Sequence, residues 1–136
     1  MSLLSTKGIY GLICIFEISK GNSSSPISLQ DISNNINVSK NYLEQIINNL
    51  RSAGLIASIK GLKGGYYLSR PLSEISYYEI FNLLEKDFGL SRVTLNTPYS
   101  LFIKEYDEKL KELFNKPLSS FEAFKQEANA YLNYVI

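Results

Sequence analysis

The chain has 136 residues, 45% of them hydrophobic and 20% charged, with a formal net charge of +1 at pH 7. A domain of this length buries roughly two-thirds of the surface its unfolded chain exposes, so a core can form without covalent staples. One cysteine excludes an intramolecular disulfide, and the absence of histidine excludes His-ligated zinc, Ser-His or Cys-His catalysis and imidazole pH sensing.

In chain order, Ile9, Leu12, Ile13 and Phe16 follow the i, i+3, i+4, i+7 spacing of a helix face. The apolar run from Ile9 to Ile18 is interrupted by Gly11 and Glu17. It lacks a small-residue cleavage site and falls well short of the roughly 20 residues of a membrane span. A cytoplasmic, reducing location without membrane association is therefore expected. Cys14 sits among Leu12, Ile13 and Phe16 and reads as a core hydrophobe, a redox-sensing thiol being the alternative.

Lys20 to Pro26 is polar and rich in breakers, which predicts a loop. Ser28, with Asp31 three residues on, opens a short helix whose buried stripe is Leu29, Ile32 and Ile36. Asn37-Val38-Ser39 breaks it. Ser39 is the N-cap of a third helix to about Ala53, with Leu43, Ile46, Ile47 and Leu50 facing inward and Gly54 as its C-terminal cap. Two helices joined by a turn of about three residues predict a helix-turn-helix. Residues 55–59 and 66–70 read as strands around the glycine-rich tip Lys60-Gly61-Leu62-Lys63-Gly64-Gly65. A hairpin placed there is a wing.

Ser76 and Glu79 form a capping box for a helix to about Lys86, and residues 87–96 form a loop. Thr97 as N-cap and Pro98 at the first helical position open a long helix to Lys116. Tyr99, Ile103, Tyr106, Leu110 and Leu113 are spaced 4, 3, 4, 3, a coiled-coil seam. The seam predicts pairing with a second copy; packing on its own domain is the alternative. Pro117 ends this helix, and Ser119 with Glu122 predicts the cap of a last helix carrying Phe121, Phe124, Tyr131 and Leu132.

The helix-turn-helix directs attention to the start of the third helix, which enters a major groove in such folds. Lys40 can meet a phosphate, and Ser39, Asn41 and Tyr42 can donate to phosphate oxygens. Gln45 can pair with adenine, and Glu44 can accept from cytosine N4. Any solvated surface helix would carry a similar face. Ser28 and Gly64 join this candidate set beside Lys60 and Lys63, which neutralise phosphate from a tip able to lie close to a duplex. An ordinary hairpin turn is the plainer reading. Gly61 to Gly65 lacks the spacing and the Lys-Ser/Thr ending of a P-loop and precedes a strand, so a nucleotide site is not expected. Residues 1–70 hold seven basic and three acidic side chains, and residues 71–136 hold seven and ten. A polyanion-facing first half joined to a second half with another task fits that asymmetry.

The stretches Tyr42-Leu43-Glu44-Gln45-Ile46, Leu50-Arg51-Ser52-Ala53-Gly54-Leu55-Ile56 and Ser58-Ile59-Lys60-Gly61-Leu62-Lys63-Gly64-Gly65-Tyr66, with the opening Lys7-Gly8-Ile9-Tyr10-Gly11-Leu12, resemble the Rrf-two family of bacterial winged helix-turn-helix regulators. The resemblance covers roughly residues 5–86 in motif and the remainder in architecture. It implies a homodimeric transcription factor, usually a repressor, on palindromic double-stranded DNA. Lys60 stands where the family has Arg, which keeps the charge and loses bidentate guanine recognition. Several members ligate an iron–sulfur cluster through three cysteines before the dimer helix. Residues 86–98 here contain neither cysteine nor histidine, so no such cluster is expected. The chain is more similar to cluster-free members, some of which respond to a small molecule or a partner protein.

The expected fold is thus mainly α with a β-hairpin wing. Residues 1–86 form the winged helix-turn-helix, and residues 87–136 form the loop, the dimerisation helix and a C-terminal helix. The expected function is DNA-binding transcriptional regulation with no enzymatic site, no metal and no cofactor. A winged helix that binds a protein partner instead of DNA is the alternative.

Overall fold

The structure, a computed structural model, describes residues 2–135. Helix α1 (Thr6–Ile18) starts where the Ser5 hydroxyl accepts from the Gly8 amide. Its inward side is Gly8, Gly11, Cys14, Ile15 and Ile18, not the predicted Ile9, Leu12, Ile13 and Phe16. Ile9 is exposed, and the other three are half-buried. The face is displaced because two glycines let another helix close onto α1. A Cβ built on Gly11 would lie 1.9 Å from the Leu84 Cδ1. Glycine carries no apolar signal, so the sequence periodicity points to the wrong side.

Helix α2 (Leu29–Ile36) is capped by Ser28, whose hydroxyl accepts from the Asp31 amide. It ends at Asn37, which takes the left-handed conformation that Asn tolerates better than most residues. The Ser33 hydroxyl donates to the Val38 carbonyl at 2.6 Å, and the Val38 amide donates back to the Ser33 carbonyl. These bonds clamp the turn into α3 (Lys40–Ser52). Leu43, Ile46, Ile47 and Leu50 of α3 are fully buried. Gly54, at φ 78°, turns the chain out of the helix, where a left-handed glycine is least costly.

Strands β1 (Ile56–Ile59) and β2 (Gly65–Leu68) pair antiparallel, with Ile56 opposite Leu68 and Ile59 opposite Gly65. The hairpin is a little shorter than its apolar pattern predicts. Ile27, just before α2, exchanges two backbone hydrogen bonds with Tyr66, at 2.9 and 2.8 Å. The wing is therefore stitched to the start of the helix-turn-helix.

Helix α4 (Tyr77–Leu84) has the predicted Ser76 cap. Helix α5 (Tyr99–Phe114) begins one residue later than expected. The Thr97–Pro98 bond is cis, and Pro98, not Thr97, occupies the N-cap, without a side-chain acceptor. The predicted cap at Ser119 is also displaced. Leu118–Phe121 form a 3-10 turn, and α6 (Glu122–Val135) follows. The cause is long-range: the Leu118 amide donates to the Ile75 carbonyl and the Tyr77 amide to the Lys116 carbonyl, at 2.8 and 3.1 Å. Those bonds carry Leu118 into the core at 0% exposure. Phe121 then stacks on Phe16 of α1, with ring centroids 4.5 Å apart.

The core runs from Cys14, Ile15 and Ile18 through Ile32 and the inner face of α3 to Ile80, Phe81 and Leu84. Between α4 and α5, Phe88 packs against Tyr78, Phe81 and Phe114. Among the described residues, no helix is long and apolar enough to cross a membrane.

Candidate nucleic-acid interface

Helix α3 is two-sided. Its apolar half is sealed in the core, so its other half is held at a fixed angle to the rest of the molecule. Lys40, Asn41, Glu44, Gln45 and Asn48 are exposed on that outer half. Ser39 stands at the tip, its hydroxyl oxygen accepting from the Tyr42 amide at 3.3 Å. The cap leaves the hydroxyl proton free to donate. The amide groups at the helix start point outward and carry the partial positive charge that attracts phosphate.

Tyr42 is half-buried, its ring edge-on to Tyr10 at 6.2 Å between centroids. Its ring braces α3 on α1, so at most its hydroxyl end faces outward. Asn48, absent from the sequence-derived set, lies one further turn along the stripe that includes Asn41, Glu44 and Gln45. Its side-chain oxygen accepts from Arg51 at 3.1 Å. The signal was present as a polar residue at the i+3 and i+4 spacing.

The wing leaves Lys60 and Lys63 exposed, with no ion pair to either among the described residues. Its glycines are structural. Gly61 takes φ 113°, and a Cβ on Gly64 would fall 2.1 Å from the Ile59 carbonyl oxygen. Gly64 therefore permits the tight turn that aims the lysines. Ser28, Lys63 and Gly64 come together around one notch of about 320 Å³, whose other walls include Ser24 and Ser25 of the loop before α2. The serine loop looked like a plain linker because hydroxyl-rich segments have no periodicity.

The seam residues divide. Tyr99, Tyr106 and Leu113 are exposed at 64%, 45% and 63%, whereas Ile103 and Leu110 are half-buried toward the chain's own fold. Phe102, missed by the 4-3 spacing, is 54% exposed and packs on Tyr106. At about 100° per residue these side chains form a single apolar band along α5. No residue of α5 is buried.

Cys14 is fully buried, and burial, with a smaller push from Glu17, raises its thiol to about 12. It has no partner for a metal. Among the described residues there is no cluster of three His, Cys, Asp or Glu able to hold an ion.

The family model described as Rrf2, iron-dependent transcriptional regulator, matches residues 4–127. The chain is 43% identical to the HTH-type transcriptional regulator CymR of Bacillus subtilis (strain 168), covering 97% of this chain and 99% of that one. Its fold is similar to the solved structure of CymR, the global cysteine regulator of B. subtilis, with a TM-score of 0.76 at 34% identity over 91% of this chain and 98% of that one. It is also similar to T. potens IscR, with a TM-score of 0.73 at 30% identity over 92% and 89% of the two chains. The iron in the family's description finds no fitting donor set here, because a cluster needs several thiolates and the one thiol is sealed in α1.

Proposed function

The chain belongs to the Rrf2 family of DNA-binding transcriptional regulators, and from that premise we propose that it acts as a homodimeric repressor gripping a palindromic operator with two recognition helices and two wings. The observation that carries this reading is the two-sided α3. Its apolar half is locked in the core, and its outer half offers solvent a cap, a lysine, three side-chain amides and one carboxylate.

Lys40, Lys60 and Lys63 neutralise phosphates, and Ser28 and Ser39 donate to phosphate oxygens near helix starts. Gln45 pairs with adenine and Glu44 accepts from cytosine, with Asn41 and Asn48 at either end of the stripe. The Tyr42 hydroxyl reaches the backbone. Gly64 brings the wing near the minor groove. Residues 1–86 do the reading and residues 87–136 the pairing, in the cytoplasm, where a bacterial duplex lies.

The apolar band of α5 supports the dimer. A row of Tyr99, Phe102, Tyr106 and Leu113 open to water is costly unless covered. A two-fold partner covers it with the same band and sets two recognition helices roughly 34–36 Å apart, one turn of duplex. Occupancy of that stretch excludes polymerase.

Footprinting at low salt on the promoter regions beside the gene is the test. A protected inverted repeat is expected; uniform, unprotected DNA refutes the reading. Tyr106→Glu with Leu113→Glu should convert the dimer to monomer in sedimentation and abolish the footprint. Gln45→Ala should relax preference at one base position per half-site, by about 1–3 kcal/mol.

A further inference from the structure

The segment between α4 and α5 is anchored at Phe88 and opens to solvent beyond it. Residues 90–99 are exposed throughout. Between this segment and the two helices lies an open cleft of about 460 Å³, within the roughly 300–1,000 Å³ usual for small-molecule sites. Tyr78 of α4, Val93 and Leu95 of the segment and Ile103 of α5 make its apolar wall.

The rest of the lining is charged. Lys104, Asp107, Glu108 and Lys111 follow one another at i, i+3, i+4 and i+7 on one face of α5. Neighbours at that spacing readily pair. Yet among the described residues no ion pair joins any of the four. Asp107 is already engaged, its Oδ1 accepting from the Leu90 amide at 2.6 Å. Lys111 holds its ammonium 5.5 Å from the centre of the Tyr78 ring, a contact between α5 and α4. Two ammonium groups and one carboxylate, Glu108, thus line the cleft without a salt-bridge partner beside an apolar wall.

We infer that this cleft binds a small zwitterion of the α-amino-acid class with an apolar side chain. The ligand's carboxylate meets Lys104 and Lys111, its ammonium meets Glu108, and its side chain covers Val93, Leu95 and Ile103. The site bridges α4, which packs on the reading core, and α5, which carries the seam. Ligand that ties the two together therefore biases the separation of the recognition helices. That regulatory consequence rests on the DNA-binding reading; the binding itself does not.

The test starts with DNA-free protein and calorimetric titration of L-norleucine and L-phenylalanine, with hexanoate and norleucinamide as analogues lacking one head group. Saturable binding of at least one amino acid is expected, weakened about tenfold or more when either charge is removed. Lys104→Ala with Lys111→Ala, and separately Glu108→Gln, should lose that binding, and Glu108→Gln should do so without lowering the melting temperature of the apo protein. Failure of both amino acids at millimolar concentration, equal binding of hexanoate, or unaffected variants overturns the site. An operator titration with and without the bound amino acid then reads the coupling, which must be reciprocal. Unchanged operator affinity overturns the regulatory consequence. Absence of any DNA binding overturns the reading of function and leaves the calorimetric result standing.

Discussion

Replacing Lys60 and Lys63 by alanine should flatten the salt dependence of operator binding without altering which sequence is preferred. Both side chains are exposed, and neither is held in an ion pair among the described residues. Each is therefore free to displace one condensed counterion. In a dimer the double change removes up to four phosphate contacts. At about 0.9 per phosphate, the slope of log affinity against log salt should become shallower by about 3.6. Between 50 and 200 mM salt, that is about 150-fold less loss of affinity than the parent protein suffers. Fluorescence anisotropy of a labelled operator across a salt series measures it. An unchanged slope would refute the placement of these lysines on phosphates. A changed base preference at an unchanged slope would show that they read base edges instead.

Gly65→Ala should destabilise the fold by about 1–3 kcal/mol, because its Cβ would lie 2.4 Å from the Ile27 carbonyl oxygen and 2.6 Å from its carbon. A lowered urea midpoint checks this, and an unchanged one denies that the Ile27–Tyr66 stitch constrains the wing. Leu118→Ala should cost about 2–5 kcal/mol, as for any fully buried leucine, read in the same assay. Cys14, with its thiol pushed up to about 12, should resist maleimide at neutral pH until urea exposes it. Because the thiol titrates near 9.0 once unfolded, its contribution to stability is complete below that pH and is lost as pH rises toward 12. Denaturation curves at pH 8 and 10.5 compare the two regimes.

The local signals in the chain were legible. Ser28, Ser39 and Ser76 each cap the helix that the sequence pattern assigns to them, and Gly54 turns the chain at the end of α3. Caps are decided within three or four residues, so the local sequence reports them. The outer face of α3 was legible for the same reason, its inner face being periodic. What escaped detection depends on distant partners. The inward side of α1 is marked by Gly8 and Gly11, whose value lies in what approaches them. The Ile27–Tyr66 stitch joins residues 39 apart, and Leu118 returns to Ile75 across 43. Ser119 and Thr97 carry good capping chemistry but are overruled, the first by that return and the second by Pro98 taking the N-cap. Of the candidate interface, Asn48 and the serine loop went unseen, one for lying more than two turns beyond the helix start and the other for lacking any repeat.

The return of the chain after α5 has a mechanical consequence. Phe114 is packed against Phe81 and Phe88, and two and four residues later the backbone at Lys116 and Leu118 is hydrogen-bonded to the chain around the start of α4. The C-terminal end of α5 is thus fixed to the body like the root of a cantilever, while its N-terminal end, at Tyr99, stands free. Bending of such a beam grows toward its free end. In the proposed dimer, pairing near Leu113 is therefore stiff, and pairing near Tyr99 is compliant. Substitutions at the root should uncouple the two DNA-reading units. The same substitutions near the tip should change only the angle between them.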